Sequence, residues 1–352
     1  MTGPVPRSLP SSPGASASGV SVRVSLLLRA FLIVVMALGV FAISTYAFIV
    51  APTIERLADT QMRETVGELN SRVQRLLATV EVTLNTSRHW GLNNSLTLDQ
   101  VEKFNEFFFP VIENHPEISS VLVAHESGRE ILLLYANGKW INRLSDPQRW
   151  GKKTTWMTWG GNRVLEKTEI LERDYDARKR PWFGGAMALE QDEDVFWTAP
   201  YIFFTTKEPG ITASSRWTAP DGSRYVVSHD VKLLDLSHFT RRITAGTSGV
   251  GMLLDDAGQL VGVPRAERFS SDDEIKKAVL KPLAEQRVPL LAEGWRQWNE
   301  QGRPDGSLNA MTFEGVEWFT HFRRIFIGKQ PFWLAVMRSE EHTSELQSHH
   351  DL

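Results

Sequence analysis

The stretch YDARKRPWF, Tyr175–Phe183, sets three cations beside Trp182, Phe183 and a proline. A solvated charge run would not carry Trp and Phe, and a core strand would not carry Arg-Lys-Arg. Its reading depends on where the chain resides and on what surrounds it. The chain has 352 residues, 42% of them apolar, enough for two or three domains with real cores. A net charge of -3 argues against a nucleic-acid partner, which selects a basic surface. Cysteine is absent, which excludes disulfides, thiol catalysis and Cys-ligated zinc.

Upstream, Ala30–Thr53 contains no charge in 24 residues. As a helix this spans about 36 Å, against a hydrocarbon core of roughly 30 Å. Arg7, Arg23 and Arg29 precede it, whereas Glu55 and Asp59 follow. The positive-inside rule then keeps the N-terminus cytoplasmic and exports the bulk of the chain. The rival reading is a signal peptide cleaved near Val40-Phe41-Ala42, but its apolar region would normally run only about 7–15 residues.

Residues 1–24, rich in Ser, Pro, Gly and Ala, read as a disordered cytoplasmic tail, and residues 25–51 as a transmembrane helix. Residues 52–92 read as a stalk helix. Ile54, Leu57, Met62, Val66, Leu69, Val73, Leu76, Val80 and Leu84 recur at steps of mostly three and four, close to a heptad seam. That seam motivates a homodimer, although it could instead pack on the domain's own sheets. Beyond it, Val121–Ala124 and Ile131–Tyr135 flank a turn containing Gly128. Gly251–Leu254 and Leu260–Val263 repeat the device around Gly258. Two such hairpins suggest two similar α+β modules in tandem. The run from Arg338 to Ser348 resembles the translation of a sequencing adapter, so residues 338–352 are expected to be non-native and the natural protein to continue past Met337. On that reading His342, His349 and His350 are not metal ligands.

Tyr175, Arg180, Trp182 and Phe183, followed by Ala186, resemble the signature of the double Cache sensor domain, the extracytoplasmic ligand-binding module of bacterial chemoreceptors, histidine kinases and cyclic-nucleotide enzymes. Phe196–Tyr201, Gly210–Ser214, Tyr225–Asp230 and Val231–Ser237 follow in that family's order. The likeness covers roughly residues 30–337. It implies an α+β fold: a transmembrane helix, a long stalk helix, then two tandem PAS-like modules with antiparallel sheets. The membrane-distal module would cover 93–235 and bind the ligand, and the membrane-proximal one 236–337. One branch of the family binds free amino acids through an Arg and a Trp for the carboxylate, with Tyr and Asp for the ammonium. Tyr175, Arg180, Trp182, Tyr201 and Asp230 occupy those places, while Phe183 stands where that branch usually has Tyr.

The residues make the same proposal on their own. An arginine fork binds a carboxylate bidentately, Asp230 could take the opposite charge, and aromatic walls suit a small zwitterion. Arg180 could instead form a structural bridge with Asp174, Asp176 or Asp230. Arg178 and Lys179 read as surface charges. The partners expected are thus the membrane and a small amino acid, amine or carboxylate. No cofactor, metal or catalytic residue is expected, nor is enzymatic activity in this part of the chain. The protein is expected in the inner membrane, with residues 52–337 periplasmic or extracellular. The alternative is a membrane-anchored periplasmic hydrolase using His229 and Asp230, or a binding protein without signalling output. No nucleophile elbow, phosphate-binding glycine loop or zinc helix accompanies that dipeptide.

Overall fold

The computed structural model describes residues 22–242 and 249–339. Residues 1–21 of the expected tail, and 340–352 of the expected non-native end, lie outside them. The chain divides into two units, one up to Leu57 and one from Ala58 onward.

In the first unit, α1 (Val22–Thr45) passes through a π-helical turn, Tyr46–Val50, into α2 (Ala51–Leu92). The Thr53 hydroxyl donates to the Ile49 carbonyl at 2.5 Å, a local bond of the kind that accompanies an irregular turn. Leu27, Phe31, Met36, Phe41 and Ile43 are exposed in every direction around the axis. A helix apolar all round finds its natural solvent in lipid. This one is long and apolar enough to cross a membrane.

The second unit begins with the rest of α2. Ala58, Met62, Val66, Leu69, Val73, Leu77, Val80 and Leu84 are buried along it, at steps of three and four that keep them on one face. The buried position is Leu77 and not the expected Leu76, which is only half-buried. These side chains belong to the continuous core of the chain's own sheets, so the seam that motivated a homodimer is already filled. Leu84→Ala should therefore cost about 2–5 kcal/mol of stability. Val82→Ala, on the same helix but 67% exposed, should be nearly neutral. Urea unfolding checks this pair; equal effects would remove the packing described here.

The first sheet has nine strands: β1 (Ser120–His125), β2 (Glu130–Ala136), β3 (Lys139–Ser145), β4 (Lys153–Trp159), β5 (Leu165–Glu172), β6 (Phe196–Trp197), β7 (Tyr201–Ile202), β8 (Pro209–Thr218) and β9 (Arg224–Lys232). The order is β5-β4-β3-β2-β1-β9-β8-β6, with β7 also on β8, and every pairing is antiparallel. Alternation separates its two faces. Val121, Val123, Ile131, Leu133 and Val227 join the core with α2 and α3 (Val101–Asn114). Leu122, Ala124, Leu132, Leu134 and Val226 form a second apolar cluster with Tyr175, Trp182 and Phe183.

The second sheet has five strands in the order β11-β10-β14-β13-β12. They are β10 (Val250–Asp255), β11 (Leu260–Gly262), β12 (Leu308–Phe313), β13 (Val316–Ile327) and β14 (Gln330–Ser339). Around them lie α6 (Leu233–Arg241), α7 (Asp272–Ala278) and α8 (Pro289–Glu300). The two expected hairpins are β1–β2 and β10–β11. Their turn glycines, Gly128 and Gly258, have φ of +90° and +78°, a region side chains other than glycine rarely adopt. Arg338 and Ser339, the first residues of the expected non-native end, lie at the end of β14, buried in register with Phe319 and Trp318.

Candidate functional site

The stretch Tyr175–Phe183 folds by a sequence of local rules. The Asp176 carboxylate accepts the Arg178 backbone N–H and caps a short 3-10 turn, Ala177–Lys179. Pro181 then opens α5 (Pro181–Met187) at the first helical position, where a missing N–H costs nothing. The result buries Tyr175, Trp182 and Phe183, leaves Arg178 and Lys179 exposed, and holds Arg180 at the boundary. Arg178 pairs with Asp176 at 2.8 Å, as a surface charge does.

Between this segment and the second face of the first sheet lies a narrow cleft, partly open to solvent. Tyr175, Arg180, Trp182, Tyr201 and Asp230 all line it. Phe183, expected among them, does not: its ring is buried in the apolar cluster, edge-on to Trp182 at 5.7 Å, and so supports the cavity wall from behind. The sheet thus gathers side chains separated by up to 55 residues, the interval from Tyr175 to Asp230.

Asp230 sits in mid-sheet on β9, and its partners follow from register. Ser120 on β1 and Thr212 on β8 are its direct cross-strand neighbours. The Ser120 hydroxyl donates to Oδ2 at 2.5 Å and the Thr212 hydroxyl to Oδ1 at 2.6 Å. Because Thr212 spends its proton on Asp230, Tyr201 must donate to Thr212, at 2.8 Å. Burial pushes the Asp230 carboxyl up to about 6, against the pull of these hydroxyls. Burial likewise raises Tyr201, which keeps its proton for this chain of bonds. Among the described residues Asp230 forms no salt bridge.

Arg180 donates to the Ile202 carbonyl at 3.0 Å and lies over the Tyr201 ring, 5.3 Å from its centroid. Among the described residues it forms no salt bridge either. Its three possible structural partners are engaged elsewhere: Asp176 with Arg178, Asp174 with Lys152, and Asp230 with hydroxyls. Trp182, 1% exposed, lines the same cavity. A cation and an anion therefore face one cavity.

Sequence reasoning missed Arg143 and Glu130. Both are buried and joined at 2.7 Å. The Arg143 guanidinium stacks on the Tyr175 ring, 3.6 Å from its centroid, and donates to the Thr205 hydroxyl. Tyr175 in turn donates to Glu130 at 3.2 Å. Burial raises the Glu130 carboxyl while the guanidinium beside it pulls the other way. The available signal was the hairpin register: Leu132 pairs with Arg143 and Glu130 with Ser145, which puts the two charges diagonally on one face.

His229, the neighbour of Asp230, faces the other way. Its Nε2 lies 3.3 Å from the Ser87 hydroxyl on α2, and burial lowers the ring to about 3, so it is neutral. Strand alternation thus separates this dipeptide, and the two side chains cannot act on one substrate. No group of three or more metal-binding side chains occurs among the described residues.

No family model matches the chain. It is 29% identical over 112 residues to the methyl-accepting chemotaxis protein McpC of Bacillus subtilis (strain 168), a match that covers 31% of this chain and 17% of that protein's length. Its structure is similar to the ligand-binding domain of Mlp24 with asparagine, with a TM-score of 0.51 and 14% identity over 84% of this chain and 97% of that one. It is also similar to the extracellular domain of rpHK1S-Z16, a proposed histidine kinase, with a TM-score of 0.50 and 18% identity over 81% and 96% of the two chains. At these identities the likeness is one of fold. Two antiparallel sheets joined along one long helix, with a cavity on the outer face of the first, make up the fold that this chain shares with those two domains.

Proposed function

We propose that this chain is the sensing part of a bacterial inner-membrane receptor, with its N-terminus cytoplasmic and residues 52–337 exported. The first sheet is then the membrane-distal, ligand-binding module and the second the membrane-proximal one. The cavity binds a small zwitterion, with Arg180 and the Trp182 N–H on its carboxylate and Asp230 and Tyr201 toward its ammonium. One observation carries this reading: a cation and a buried carboxylate, each without an ionic partner among the described residues, line the same cavity. Each would gain from a ligand what the protein does not supply. The match to McpC and the two similar folds support a receptor. A homodimer belongs to this reading; with the seam occupied, its contact uses another surface, such as the outward face of α2, where Val82 stands exposed.

Calorimetry of the full chain in detergent, with amino acids, amines and simple carboxylates, tests the assignment. Zwitterions should bind, and compounds with one charge should bind at least tenfold more weakly. Affinity should hold above pH 6 and fall by about tenfold per unit below it, because protonated Asp230 offers an ammonium no counter-charge. Equal affinity for methylamine, acetate and alanine would remove the proposed clamp.

A further inference from the structure

We propose that Glu208 is a positioning residue through which the second module sets how readily the cleft of the first opens. The inference goes beyond the sensing role and holds whatever the cleft binds. Between β7 and β8 the chain makes a tight turn, Phe203–Glu208, and Phe203, Phe204, Thr205 and Thr206 line the cleft one after another. The turn closes on itself: the Phe203 N–H donates to the Glu208 carbonyl at 2.9 Å, and the Lys207 N–H to the Phe203 carbonyl at 3.1 Å. A segment bonded to itself in this way moves, or stays, as one piece.

Glu208 fastens that piece on two sides. Gly210 pairs with Lys232 in the β8–β9 ladder, which brings Glu208 near that lysine. One carboxylate oxygen meets the Lys232 ammonium and the other the Lys276 ammonium, both at 2.8 Å. Lys232 belongs to the first module, whereas Lys276 stands on α7 of the second. That helix is firmly seated. Ser271 and Glu274 cap its start reciprocally, and Ile275 and Ala278, on either side of Lys276, are buried. Among the described residues no other salt bridge joins residues 93–235 to residues 236–337. Burial works against the charge on Glu208, yet the two ammonium groups hold its carboxyl below the usual carboxylate range, so it is ionised at neutral pH. Its side chain is 18% exposed, so water screens the pair only in part. Spreading the turn away from the cleft has to stretch the bond to α7, and by linkage a shift of α7 changes the ease of spreading. The modules also meet where Trp197 packs on Gly328, so closely that a Cβ added there would lie 2.9 Å from the Trp197 Cβ. That contact keeps them together when the ion pair is broken.

Hydrogen exchange of the full chain in detergent, read by mass spectrometry, tests this on the natural chain, Lys276→Gln and Lys276→Arg. No ligand is present, so the result is independent of the zwitterion clamp. In Lys276→Gln the backbone amides of 203–208 should exchange at least about threefold faster, while those of the β1–β2 hairpin keep their rates. Lys276→Arg restores the charge and should bring the turn back to within about twofold of the natural chain. Turn amides unmoved by Lys276→Gln would overturn the inference, because the first module alone would then hold the turn. An equal rise in the β1–β2 hairpin would overturn it as well, by showing a general loss of stability. Exchange in Lys276→Arg as fast as in Lys276→Gln would do the same, since the effect would then not come from the ion pair.

Discussion

Asp230→Asn should melt at a higher temperature than the natural chain at pH 7.5 while losing its affinity for zwitterions. Burial lifts the Asp230 carboxyl from the ordinary value near 4 to about 6. The folded state therefore holds the proton more tightly than the unfolded one. Stability from this group is fully present below about pH 4 and is lost as pH rises through about 6. Above that window the ionised carboxylate, held only by two hydroxyls, costs the ligand-free fold on the order of 2–3 kcal/mol. Asparagine keeps the shape without the charge, and one hydroxyl must turn to accept from its amide. A net gain of about 1–2 kcal/mol, or roughly 2–6 °C, is expected at pH 7.5, vanishing near pH 4. Scanning calorimetry at the two pH values measures it. A lower melting temperature at pH 7.5 would mean that the buried carboxylate is not the cost described here. The loss of binding should reach roughly 2–5 kcal/mol, since the ligand's ammonium would be desolvated without a counter-charge.

Arg180→Ala should weaken zwitterion binding by a similar roughly 2–5 kcal/mol, again because a buried ligand charge loses its partner. The effect on the fold should be small, for Arg180 is half-buried and gives up one bond to the Ile202 carbonyl. Arg180→Lys should recover part of the loss as a point charge without the bidentate fork. Isothermal calorimetry on the three chains, with melting temperatures as the control for folding, makes the comparison. Unchanged affinity in the alanine variant would assign the carboxylate to another group.

Much of the fold was legible because it is written in local patterns. The charge-free run, the periodic apolar stripe of α2 and the two glycine hairpins each depend on residues near one another in sequence. The shift from Leu76 to Leu77 shows the limit: at 3.6 residues per turn a mixed run of threes and fours leaves one position to be settled by what it packs against. For the site, the family likeness and the charge pattern named five lining residues. Phe183 lies behind the lining because α5 turns consecutive side chains in different directions. Arg143 and Glu130 stayed hidden because their meeting is made by strand register, and a charged residue in a strand ordinarily reads as solvent-facing. The same holds for Ser120 and Thr212, which reach Asp230 from strands on either side.

The opposite outlooks of His229 and Asp230 have a consequence for how this sheet can diversify. Along β9 the even-numbered Val226 and Asp230 look toward the face that carries the cavity, and the odd-numbered Val227, His229 and Val231 look toward the helix layer. On the proposed reading, meeting the ligand and contacting α2 fall to two parities of one strand. Substitutions of one parity can retune what is recognised without disturbing the contact with α2, and a displacement of the strand itself is felt on both sides at once. One peptide unit separates the residue that lines the cavity from the residue that meets α2.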